Sequence, residues 1–270
     1  MRDRCYLVCA TQRSGSTFLC EVLKGTGVAG RPEEYFEAVR DTGSPPHPRS
    51  FLEGLPRTGV GIRDDDTIPQ APPYSSLEGI EDYRQHLIRT FERGTTDNGV
   101  FGAKLMFNQL SELQALAGQL PEFAGLGPGE LLQRMFNEPA YIWVSRGDKV
   151  RQAVSLWKAL QTRSWRHGAH GGDQAELQYR FEGIAHLVEL FESDDRGWGE
   201  LFARHGIKSL AISYEDHLER DPEAAVRTAL HWIGVQAPDG WQVGEPMQRQ
   251  ADSLSEEWVA AYHRDLARLG

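Results

Sequence analysis

Apolar runs of strand length alternate along this chain with stretches of helical period. Tyr6–Ala10, Val100–Met106, Ala140–Val144 and Ser209–Ile212 read as buried strands, since each is a short and nearly continuous apolar run. Apolar positions at helical spacing fill Thr17–Lys24, Ser76–Arg93, Ser111–Leu116, Gly129–Phe136, Lys149–Arg163, Gln174–Glu192, Trp198–His205, Pro222–Ile233 and Ser255–Arg268. Strands that alternate with helices predict an α/β fold with a central, mainly parallel sheet flanked by helices. No repeat and no shift of composition divides residues 1–270, so one domain is expected. Two stretches are rich in turn formers instead. Residues 40–73, with Ser44-Pro-Pro-His-Pro48 and Ala71-Pro-Pro73, read as a lid, and 165–172 as a glycine- and histidine-rich loop.

The first strand breaks into Thr11-Gln-Arg-Ser-Gly-Ser-Thr17 and then into a helix. Such a turn presents backbone N–H groups and the positive end of a helix dipole, with Ser14, Ser16, Thr17 and the Arg13 cation beside them, which suits a phosphate or sulfate. It is not the nucleotide-triphosphate loop Gly-x-x-x-x-Gly-Lys-[Ser/Thr]: its one glycine is Gly15 and no lysine precedes the hydroxyl pair. The run Ala140-Tyr-Ile-Trp-Val-Ser-Arg-Gly-Asp148 repeats the strand and basic turn. It puts Arg146 at the carboxyl end of a strand, where open α/β sheets bind ligands, with Ser155 along the next helix.

A net charge of −10 disfavours nucleic acid and anionic membrane as partners, so an anionic ligand has to be met by a few local cations. Cys5 and Cys9 lie roughly 13 Å apart along a strand, too far to bridge, and read with Cys20 as thiols of a reducing compartment. With no signal segment and no run of ~20 apolar residues, a soluble cytoplasmic protein without stable membrane insertion is expected. His167, His170 and Asp173, and the run Asp64-Asp-Asp66, read as loop and turn residues, and no metal is expected. Trp143, Trp157 and Trp165 suit a core or an adenine stack, Lys104 near a strand end is a candidate for mutation, and Asn108 and Gln109 are further acceptor-site candidates.

Arg13-Ser-Gly-Ser-Thr17, with Arg146 and Ser155, resembles the sulfotransferases that use 3′-phosphoadenosine 5′-phosphosulfate, PAPS, which share a P-loop-like fold. A closer resemblance, along nearly the whole chain, is to the actinobacterial trehalose 2-sulfotransferase family. Gln12-Arg-Ser-Gly-Ser-Thr17, Gly30-Arg-Pro-Glu-Glu-Tyr-Phe36, Gly102-Ala-Lys-Leu-Met-Phe-Asn-Gln109, Gln152-Ala-Val-Ser-Leu-Trp157, Gln161-Thr-Arg163 and Arg249-Gln-Ala-Asp252 with Glu257-Trp258 carry it.

The resemblance implies PAPS as co-substrate, held by Arg13, Ser14, Gly15, Ser16, Thr17, Arg146, Ser155 and Arg249. The spacing from Arg146 to Ser155 is one residue longer than usual in the superfamily. It further implies a sugar pocket lined by Gln12, Arg31, Glu33, Glu34, Tyr35, Phe36, Glu37, Pro46 and Phe51, and a homodimer. Sulfuryl transfer needs a base on the acceptor side and a cation on the leaving-phosphate side. Arg13 suits the second role. Glu33 and Glu34 are equal candidates for the first from the residues alone, and the family motif selects Glu34, whose carboxylate Tyr35 and Phe36 are expected to wall. At Arg31 the family has an acid and at Phe51 a Trp, so the contacts that read a disaccharide differ. Trehalose is the leading acceptor, with another sugar, glycolipid or small-molecule hydroxyl as the alternative. A P-loop-related small-molecule kinase and a non-catalytic nucleotide-binding protein are the rival readings.

Overall fold

A computed structural model describes residues 4–36, 51–55, 82–162, 177–244 and 253–269. Four parallel strands, β1 (Arg4–Ala10), β2 (Val100–Met106), β3 (Ala140–Ser145) and β4 (Ser209–Ser213), form one sheet in the order β2-β1-β3-β4. The pairing is in continuous register, from Arg4 opposite Val100 to Ala10 opposite Met106 on one side of β1, and from Tyr6 opposite Ala140 on the other. All four predicted strands are present, extended by a few residues at most.

The sheet is buried on both faces, which is why its strands read as unbroken apolar runs instead of alternating ones. Leu7 and Cys9 enter one core with Phe101, Leu105 and Tyr141, while Tyr6, Val8 and Ala10 enter the other with Ile142, Val144 and Ile212. The first core is covered by α2 (Tyr83–Gly94), α3 (Leu110–Ala117) and α4 (Pro128–Phe136), and the second by α1 (Ser16–Gly25) and α7 (Pro222–Trp232). A third cluster joins α5 (Lys149–Thr162), α6 (Phe181–Arg204) and α8 (Ser253–Leu269), with Phe51 and Leu52 packed into it. Trp157 lies in this third cluster, and Trp143 packs against the first.

Two helices expected at 174–192 and 198–205 are one continuous helix, α6. The polar, glycine-containing run Ser193–Gly197 imitates a break, yet three of its residues have a use within a helix. A Cβ on Gly197 would lie 2.0 Å from the Phe107 ring, so glycine is required by packing, and Asp194 and Asp195 turn inward. The helix expected from Ser76 is described from Tyr83, with Asp82 capping it by accepting from Gln85 N at 3.0 Å. A 3₁₀ turn, Phe107–Gln109, and a π-helical turn, Tyr214–Glu219, were not legible as such. Most of the expected lid, the 165–172 loop with Trp165, His167 and His170, Asp173 and Asp64–Asp66 lie outside the described residues. No helix among the described residues is long and apolar enough to cross a membrane.

Burial and the neighbouring Asp195 push the Asp194 carboxyl up to about 7. Because the folded value lies above the unfolded one, near 4, the folded state keeps a proton that the unfolded chain gives up, and stability falls as pH rises from about 4 to 7. Asp194→Asn is therefore expected to stabilise by roughly 2–4 kcal/mol at pH 8 and by nearly nothing at pH 4. Thermal unfolding of both proteins across that range checks it, and a gain independent of pH would contradict the assignment.

Candidate active site

Every strand of the parallel sheet delivers its carboxyl end to the same edge, and the order β2-β1-β3 reverses the direction of chain progression at β1. That is where open α/β sheets bind ligands. The turn after β1 is the most constrained there. Arg13 has φ 61 and Gly15 φ 90, both left-handed, and Gly15 N-caps α1. A Cβ at Gly15 would meet Tyr214 Cδ2 at 2.7 Å and Leu218 Cδ1 at 3.0 Å, so the loop passes against the π-helical turn with no room for a side chain. Ser14 is fully buried, and its hydroxyl has no hydrogen-bond partner among the described residues. A hydroxyl left so inside an N–H-lined turn suits an anion held there.

Arg13 and Arg146 stand side by side. Arg13 Nε donates to Ser155 Oγ at 2.9 Å, and Arg146 Nη1 approaches Arg13 O at 3.4 Å. Burial, and then the Arg146 charge, lower the Arg13 guanidinium to about 10. Two guanidiniums crowded out of water gain from anionic groups brought to them. Arg146 lies over the Tyr214 ring, 4.6 Å from its centroid, and its Nε is 3.7 Å from Glu215 Oε1. Glu215 in turn accepts from Gly147 N at 2.9 Å and Asp148 N at 3.2 Å, so it fixes the turn that carries Arg146. The structure thus brings Arg13, Arg146 and Ser155 together across three elements.

The acidic segment lies on the other side of β1. Gly30, at φ 68, passes so close to β2 that a Cβ would sit 2.6 Å from Gly102 N. Arg31 N donates to Gly94 O at 2.8 Å, and Lys104 N to Glu33 O at 2.9 Å, which ties the segment to the end of α2 and to β2. Glu33 and Glu34 then separate. Glu33 pairs with Lys24 on α1. Glu34 Oε1 meets Lys104 Nζ at 2.7 Å and Glu34 Oε2 accepts from Gln109 Nε2 at 3.2 Å. Lys104 Nζ also donates to Thr17 Oγ1 at 3.0 Å, so one ammonium links Glu34 to the anion loop. Burial alone would lower Lys104, but Glu34, with Cys20 and Glu33 near it, holds it above its ordinary value.

The expected aromatic wall is a correction. The Tyr35 and Phe36 rings turn into the core, with Phe36 edge-on to Phe136 at 5.4 Å, so the partners of Glu34 are an ammonium and an amide. Their task is to fix the backbone: Tyr35 OH donates to Arg31 O at 2.7 Å, and His86 Nε2 lies 3.0 Å from Tyr35 O. Arg31 directs its guanidinium to Thr95 O at 2.6 Å, at the end of α2, and Phe51 is buried against α5, α6 and α8. Gln12 donates to Asn108 Oδ1 at 2.9 Å, and its own Oε1 is buried without a partner among the described residues. Glu37, Pro46 and Arg249 lie outside the described residues. Among the described residues no group of three His, Cys, Asp or Glu side chains could hold a metal ion.

Several residues of this edge had no signal in the sequence. Tyr214 and Glu215 follow a strand without any motif, and Lys149 and Asp195 are ordinary residues of two helices. Lys104, Asn108 and Gln109 stood out by their place near a strand end, and Thr11 and Gln152 by lying in the quoted motifs.

The model of the Stf0 sulphotransferase family matches residues 5–265. The chain is 39% identical to a protein named trehalose 2-sulfotransferase from Mycobacterium tuberculosis (strain ATCC 35801 / TMC 107 / Erdman), over 99% of this chain and 97% of that one. It is 35% identical to a protein of the same name from Mycolicibacterium smegmatis (strain ATCC 700084 / mc(2)155), over 98% and 96%. A sulfotransferase crystal structure from Alicyclobacillus acidocaldarius, 16% identical, covers all of this chain and 95% of its own with a TM-score of 0.47.

Gly15→Ala is expected to cost about 1–3 kcal/mol of stability, from the left-handed backbone and the clash with Tyr214 together. In a double-mutant cycle Tyr214→Ala should relieve the clash and leave the backbone cost, giving a coupling between the two sites in thermal or urea unfolding. Strict additivity would refute the contact.

Proposed function

The chain belongs to the Stf0 sulphotransferase family, and from that premise we propose that it moves the sulfuryl group of PAPS to the 2-hydroxyl of trehalose, with Glu34 as general base. The observation that carries this reading is the Glu34–Lys104–Thr17 link, in which one buried ammonium touches both a carboxylate and the anion loop. A group transferred between a base and a leaving phosphate needs that arrangement. The names of the curated relatives support trehalose as the acceptor.

In the proposed reaction the acceptor oxygen forms a bond to sulfur while the bond from sulfur to the 5′-phosphate oxygen breaks. The hydroxyl proton goes to Glu34, and the electron pair of the broken bond stays on the phosphate. Lys104 aims the Glu34 carboxylate and supplies positive charge where negative charge spreads over the transferring oxygens. Arg13 and the N–H groups of Ser14 through Thr17 receive the charge left on the 5′-phosphate. Arg146, Ser155 and Arg249 form the 3′-phosphate end of the same reading, and Gln12, with a spare acceptor atom, suits a sugar hydroxyl. Glu33, held by Lys24, keeps the segment in place. No step of this chemistry calls on a metal. The free thiols of Cys5, Cys9 and Cys20 agree with a cytoplasmic setting, and a homodimer is part of the proposed reading.

Turnover of PAPS against a panel of sugars including trehalose tests the reading. Glu34→Gln should lower kcat by at least ~100-fold with donor affinity retained. Full activity in that variant removes the base assignment, turnover only on other hydroxyls removes trehalose, and magnesium-dependent use of ATP would establish a kinase instead. Lys104→Met should also lower kcat, by about 10²–10³-fold, as expected when one preorganised charge is deleted.

A further inference from the structure

Lys149 stands at the first position of α5, where a cation faces the positive end of the helix dipole and is locally unfavourable. A residue that breaks a local rule needs a compensating tertiary use. Its ammonium is turned away from solvent into three partners. It reaches Asp195 Oδ2 on α6 at 2.5 Å, donates to the Arg146 carbonyl, and lies 3.4 Å from Gln152 Oε1. Gln152 is fully buried, and with its oxygen toward Lys149 its amide nitrogen faces the first turn. There it donates to Thr11 Oγ1 at 2.8 Å and to Gln12 O at 2.6 Å. The same helix that carries Asp195 sends Trp198 Nε1 to Ala10 O at 3.0 Å, one residue before this turn.

One ammonium therefore grips the backbone of both basic turns, at Arg146 directly and at Gln12 through Gln152. The two turns need such a grip because Arg13 and Arg146 repel one another. None of the three relay side chains has a role in the donor or acceptor assignments above. We propose that Asp195, Lys149 and Gln152 are positioning residues that set the separation of the two anion-binding turns, and so give the site its selectivity for a ligand with two phosphate groups. The inference rests on the reading that Arg13 and Arg146 hold the two anionic ends of one nucleotide.

Binding of adenosine 3′,5′-bisphosphate and of adenosine 5′-monophosphate, each measured by calorimetry, tests it. The parent should prefer the bisphosphate. The pair Lys149→Met with Asp195→Asn removes the ammonium without leaving a buried carboxylate unpaired, and should weaken bisphosphate binding at least ~10-fold while monophosphate binding changes less than ~3-fold. Lys149→Arg should restore most of the preference, and in turnover the relay variants should raise KM for donor and leave KM for acceptor unchanged. Should the paired variant fail to fold, Gln152→Met carries the same expectation. A folded relay variant that keeps the parental preference overturns the proposal while leaving the donor assignment standing. A parent with no preference for the bisphosphate removes the donor assignment, and the relay with it.

Discussion

An ammonium buried in a parallel sheet has to be answered by a carboxylate, and much of this architecture follows from how Lys104 is answered. An unpaired charge at that depth would cost several kcal/mol. The chain meets the requirement by laying Gly30–Glu34 beside β2, with the Arg31 N–H bonded to Gly94 O and the Lys104 N–H to Glu33 O just before the ion pair. Gly30 has no Cβ because its backbone runs too close to that of β2 for one, and Gly102 has none because the Tyr6 ring fills the space. Tyr35 and Phe36 are spent in the core, where they hold the segment that the ion pair aims. Thr17 then connects the pair to the anion loop.

The opposite charge balance rules the other half of the edge. A chain with net charge −10 gathers Arg13, Arg146 and Lys149 around two turns, with Glu215 and Asp195 against the latter two, so the cations are local while the whole molecule repels polyanions. Their mutual repulsion is contained by rigid partners: Tyr214 under Arg146, Glu215 on the N–H groups of its turn, Ser155 on Arg13. Selectivity in such a site comes from geometry, since charge alone would accept many anions. Of the sequence readings, the four strands, most helices and the basic turns after β1 and β3 were legible, because each is written in local spacing. The α6 continuity was not, because Gly197 and the paired aspartates look like a break until Phe107 and Lys149 are beside them.

The sequence alone determined the α/β alternation, the polar glycine-containing turn after β1 and the basic turn after β3, since strand burial, turn chemistry and helix dipoles act over a few neighbouring residues. It also narrowed the acid to two adjacent residues. Tertiary structure decided between their surroundings: Glu33 goes to Lys24 and Glu34 to Lys104, because successive side chains along an extended segment point to opposite sides. It alone placed Tyr214, Glu215, Lys149, Gln152 and Asp195 at the site. Their roles depend on contacts between elements far apart in the chain, and no local spacing encodes which distant partner a buried polar group will find.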